Sequence, residues 1–130
     1  MNNQEILNLF GKLLITKAFD NNASIVKYSL EDLKETERFK HLFSIMDNTQ
    51  KSELDSLAYE LLSGLLFDFL RIFEENKEFK IIYESDGQQV DLVKISEMLK
   101  AEPIIKGGWI DQFSQFYNKG DGAEGFSSRH

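Results

Sequence analysis

Cysteine is absent from this 130-residue chain. That removes three chemistries together: a disulfide framework, a thiolate metal site and a thiol nucleophile. Histidine is scarce, with only His41 and His130. His130 is the last residue, where a side chain seldom holds a ligand geometry. His41 lies in FKHLF and reads as a structural histidine rather than a base. Positive charge is also short: 15 Lys and Arg face 22 Asp and Glu, a net of −7. Such a balance repels phosphate backbones and argues against a nucleic-acid partner. No apolar run approaches the ~20 residues that cross a bilayer, and MNNQEILNLF lacks the basic start of a signal peptide. The expectation is a soluble, cytoplasmic protein that does not enter membranes.

What is present has an ordinary globular balance, with 42% hydrophobic and 28% charged residues. The length suits one domain able to bury about two-thirds of its unfolded surface. Eleven Phe point to a core built on aromatic rings. The reading is a single α+β domain over 1–118, mainly helical, followed by a flexible glycine-rich tail over 119–130.

Apolar residues recur at helical spacing from Gln4 to about Phe19, and Asp20-Asn21-Asn22 reads as a stop and turn. Ser24 to Tyr28, SIVKY, is rich in strand formers and reads as a third strand or an extended connector. Ser29 and Asp32 have capping-box spacing before a second helix that carries Leu30, Leu33, Phe39, Leu42, Phe43 and Met46, with an exposed or broken middle at KETERFK. The strongest element, about 52–76, keeps the helical period from Leu54 to Phe73 and is apolar nearly all round between Leu61 and Leu70. A helix of that kind is expected at the centre, covered on several sides. The period then changes to two, and 79–93 reads as a β-hairpin turning at Asp86-Gly87. A short helix from Ile95 to Lys100 and a final amphipathic helix, WIDQFSQFY, complete the order.

GDGAEG, Gly120 to Gly125, matches the G-x-G-x-x-G letters. That fingerprint needs a buried strand before it and a helix after it to hold a pyrophosphate. Here an aromatic helical pattern precedes it and only FSSRH follows; Phe126 also stands where a P-loop has its lysine. No nucleotide or other cofactor is expected. Asp47-Asn48-Thr49 fails as a calcium loop at Lys51 and at the missing glycine. Ser63, mid-helix, is expected to bond back to a carbonyl. Asp68, between Phe67 and Phe69, reads as an ion-pair partner of Arg71 at the edge of the core, with a catalytic carboxylate as the alternative. Gly64 inside the long helix is expected to admit another backbone, the hairpin or the first helix.

The acids concentrate in the middle of the chain. Residues 51–100 hold eleven acids and six bases, a net of −5. Glu74, Glu75, Glu78, Glu84, Asp86 and Asp91 gather around the hairpin and form the candidate partner-binding surface, suited to a basic protein. The run FEENKEFKIIYESDGQQVD, together with the lack of a catalytic constellation, resembles the cytoplasmic immunity proteins that protect bacteria from polymorphic or contact-dependent toxins. The resemblance implies tight binding of a toxin domain, acids against a basic nuclease surface, and no enzymatic activity. A second reading is a self-associating scaffold that pairs through Trp109, Phe113, Phe116 and Tyr117.

Overall fold

The computed structural model describes residues 1–28, 32–33 and 35–117. Ser29 and Leu30 of the expected second helix, and GDGAEG with the rest of 118–130, lie outside them. The described part is mainly helical, with one long helix, Asn48–Glu75, and one antiparallel hairpin.

The N-terminal helix, Asn3–Leu14, starts where Asn2 and Glu5 cap each other. The Asn2 side-chain oxygen accepts from the Glu5 N–H and the Glu5 carboxylate from the Asn2 N–H, both at 2.8 Å. It does not stop at Asp20. A π-helical segment, Ile15–Phe19, leads directly into a further helix, Asp20–Tyr28. SIVKY is therefore helical, and the third strand is absent. The physical reason lies in the buried side. Leu7, Gly11, Ile15, Phe19 and Ala23 recur every four residues and are all buried. In an α-helix each such step slips by about 40°, so Ala23 would end up facing away from Leu7. The π segment puts an extra residue into one turn and takes up most of that slip.

Asp20 is drawn inside by the same turn. Its carboxylate accepts from the Ser114 hydroxyl at 2.7 Å and from the Gln115 N–H at 2.8 Å. The signal that read as a helix stop is thus a tertiary anchor. Asn22 and Ser24 turn back onto the helix and donate to the carbonyls of Ala18 and Asn21.

The long helix begins four residues before its expected start, because Asp47 caps it. Asp47 accepts from the Gln50 N–H at 2.8 Å, and Gln50 returns the bond to the Asp47 N–H at 2.9 Å. The helix Lys40–Ile45 precedes it, and the polar stretch at 35–39 is exposed and forms turns. After it, strands Ile82–Ser85 (β1) and Gln88–Asp91 (β2) pair Tyr83 with Val90 and Glu84 with Gln89. Asp86 and Gly87 both take positive φ, 51° and 80°, as a two-residue I′ turn requires. The ladder is shorter than 79–93 at both ends: Phe79 is exposed ahead of β1, and Asp91 caps a short helix, Leu92–Ile95. A 3-10 turn, Leu99–Ala101, packs on the long helix.

The final helix covers only Trp109–Phe113. Ser114 ends it, and its hydroxyl oxygen accepts from the N–H groups of Phe116 and Tyr117 at 3.1 and 3.0 Å. Trp109 and Tyr117 are wholly buried, and Phe113 and Phe116 partly. These four rings belong to the core, so the surface expected for self-association is not on offer. The buried core is mostly aliphatic, contrary to the expectation from the Phe count; its rings are Phe19, Tyr59, Trp109 and Tyr117. Phe19 meets Tyr59 and Tyr117 edge to face at 6.2 and 5.6 Å, and Phe10 meets Trp109 at 5.8 Å. Phe39, Phe69 and Phe79 remain exposed.

Two glycines separate the packed side from the open side. A Cβ at Gly11 would lie 2.5 Å from the Trp109 indole. At Gly64 it would meet nothing within 4 Å, so neither the hairpin nor the first helix approaches there, contrary to expectation. Gly11→Ala should destabilise by about 1–3 kcal/mol, through overpacking that outweighs any gain in helix propensity. Gly64→Ala should stabilise the monomer by up to about 1 kcal/mol. Denaturant titration of both variants checks the opposite signs.

Asp20 yields a second expectation. Burial pushes its carboxyl above the ordinary aspartate value, and the bonds from Gln115 and Ser114 pull it back only in part. The folded chain therefore holds that proton at pH values where the unfolded chain has lost it. This contribution to stability is full below the ordinary aspartate value and is lost as pH rises through the folded one. The stability of the wild type minus that of Asp20→Asn should grow as pH falls from neutral toward 4; a flat difference, or one of opposite slope, contradicts it.

Candidate functional site

The six acids expected to form one partner-binding patch have different occupations. Glu74 is partly buried, and its carboxylate lies 3.5 Å from the Lys100 ammonium, itself 5.8 Å from the Phe67 ring. This joins the end of the long helix to the 3-10 turn. Asp91 accepts from the Val93 N–H at 3.1 Å as a helix cap. Glu74 and Asp91 also line one cleft, with Phe73, Phe79, Lys77, Lys80 and Lys94, so cations accompany the two anions there. Glu75 faces Arg71 at 3.8 Å across an exposed pair. Glu78, Glu84 and Asp86 point outward. Glu84 shares the outer face of the hairpin with Ile82, Gln89 and Asp91 by register, and accepts from the Gln89 amide at 2.7 Å.

Asp68 is exposed and pairs with Arg71 at 3.4 Å. The pairing is the expected one, but its place is the open face of the helix and not the core edge. Ser63 donates to the Glu60 carbonyl at 3.3 Å, as its mid-helix position implies. Among the described residues no group of three His, Asp or Glu side chains has metal-binding proximity, and no helix is long and apolar enough to cross a membrane.

The larger surface feature is one the sequence reading assigned to the core. At about 100° per residue, Tyr59, Ser63, Leu66 and Leu70 fall on one side of the long helix, and they are its buried residues. Leu57, Leu61, Leu65 and Ile72 fall opposite, with Phe69 on the flank. Their exposures are 52, 65, 63, 47 and 48% respectively. The helix is covered on one side only. An apolar circumference shows that a helix has two apolar faces, and it does not show that the chain itself supplies a neighbour for both. The strip from Leu54 to Ile72 is about 27 Å long and roughly 10 Å wide. Near 300 Å², it reaches the size at which exposed apolar patches on monomers are often functional.

Comparison with protein-family models, with curated proteins and with solved structures finds no match to this chain. The functional reading therefore rests on these two surfaces alone.

Leu61→Ala and Leu65→Ala, on the open face, should each change stability by less than about 1 kcal/mol. Leu70→Ala, at a fully buried site, should cost about 2–5 kcal/mol. Equal losses at all three positions in chemical denaturation would show that the strip is covered.

Proposed function

We propose that this chain is a protein-binding module for a basic protein surface, and most concretely an immunity protein that neutralises a basic, nuclease-like toxin domain. The observation that carries the reading is the hairpin: residues 81–93 hold Glu84, Asp86 and Asp91 and no base. Glu84 and Asp86 are exposed on a short ladder closed by the I′ turn. Ile82 adds an exposed apolar contact on the face it shares with Glu84. In a two-stranded sheet each strand also keeps one free edge, to which a partner segment can add backbone hydrogen bonds. Charges of this kind chiefly speed association, while the apolar and backbone contacts slow dissociation.

The structure shapes the experiment. Asp91 caps a helix and Glu74 ties two elements together, so reversing either tests the fold as much as binding. Glu84→Lys with Asp86→Asn avoids both problems, because asparagine tolerates the positive φ at the turn. The tagged wild-type chain should capture a basic protein from a lysate of its source cells. The double variant should associate with that purified protein about tenfold more slowly at low salt, with a weaker salt dependence and an unchanged melting temperature. Unchanged association rates would remove the hairpin from the interface.

A further inference from the structure

The open face of the long helix has a pattern that the acidic hairpin does not explain. Leu61 and Leu65 stand two residues either side of Ser63, Leu57 and Phe69 six, and Leu54 and Ile72 nine. Read from either end, the strip presents large apolar side chains at the same spacing. An antiparallel copy of the same helix matches that spacing, because a two-fold axis level with Ser63 puts each residue at the height of its counterpart on the other side of 63. We infer that this face docks a second copy of the chain, with the long helices antiparallel and Leu61 against Leu65 at the centre.

Charge complementarity fits this occupant as well. Arg71 and Glu53 are eighteen residues apart, five whole turns, and so lie on the same flank. Across the axis, Arg71 of one copy comes within two residues of the level of Glu53 of the other, an opposite-charge pair on each side. The area sets the strength. Two strips of roughly 300 Å² with their rims fall short of the ~800 Å² per partner of a standard stable interface, so the dimer is weak and concentration-dependent. Asp68 lies inside the strip with its Arg71 partner, and a polar residue in an apolar seam fixes register and weakens the pair.

This inference does not rest on the proposed function, and salt separates the two. The chain carries −7, so copies repel and added salt favours self-association, whereas salt opposes binding of a basic partner. In sedimentation equilibrium, the mass should rise from 15.1 kDa toward twice that value as the concentration increases through the micromolar range, and more so at 0.5 M salt. Leu61→Asp with Leu65→Asp should hold the monomer with unchanged circular dichroism, and Asp68→Leu should tighten the dimer at least several-fold. The cysteine-free chain makes orientation directly readable. Leu54→Cys mixed with Ile72→Cys, both on the centre line of the strip, should form the mixed disulfide in preference to either self-disulfide. A monomer at several hundred micromolar, a dimer that survives the double aspartate variant, or preferred self-disulfides would each overturn the inference.

Discussion

The Asp20 carboxylate is removed from water to receive a hydroxyl and an amide from residues 94 and 95 positions away, and most of the packed structure is arranged around that contact. An ion buried without donors is too costly to keep, so both donors must arrive together. Ser114 supplies one by ending the last helix, and the Gln115 backbone supplies the other. The same hydroxyl oxygen then receives the N–H groups of Phe116 and Tyr117, which turns Tyr117 into the ring cluster of Phe19 and Tyr59. The Tyr117 hydroxyl donates to Asp55 on the long helix at 2.7 Å. One carboxylate thereby fixes the N-terminal helices, the C-terminal segment and the long helix relative to one another.

That arrangement decides which face of the long helix is spent. The N-terminal helices and the C-terminal segment occupy the side of Tyr59, Ser63, Leu66 and Leu70, and the 3-10 turn closes over its C-terminal end. Nothing among the described residues covers Leu57, Leu61 and Leu65. Period alone locates this helix and its length to within a few residues, because its apolar side chains follow the helical repeat without a break. Period cannot assign the two faces. When both are apolar, the choice depends on where distant segments attach, and here that depends on Asp20, a residue whose local sequence reads as a helix stop.

Charge shows the same division between what is local and what is not. The turn at Asp86-Gly87 was legible because positive φ at two successive residues is a local demand. The caps at Asn2 with Glu5 and Asp47 with Gln50 carry a three-residue spacing visible in the sequence. The roles of Glu74 and Asp91 were not legible. Glu74 depends on Lys100, which is brought near by the packing of the 3-10 turn, and Asp91 depends on the strand ending there and a helix starting at Leu92. A count of acids predicts a patch; the fold converts two of the six into structural parts and leaves Glu78, Glu84 and Asp86 to face solvent. The π segment was hidden for a related reason. Its only trace is a four-residue recurrence from Leu7 to Ala23, which passes for an ordinary helix until the accumulated slip is counted.

The two open surfaces follow opposite physics on one frame. On the proposed readings, the acidic hairpin would act through charge at a distance and weaken with salt, whereas the helical strip would act through contact and gain when like charges are screened. The chain leaves the long helix at Glu75 and reaches the hairpin within a few residues, so the hairpin follows the helix C-terminus. In an antiparallel pair the two C-termini point apart along a helix of about 42 Å. The hairpins would then stand at opposite ends of the assembly, each still open to a partner. Self-association through the strip and recognition through the hairpin are for that reason compatible on geometric grounds, and a dimer would offer two separated acidic sites where a monomer offers one.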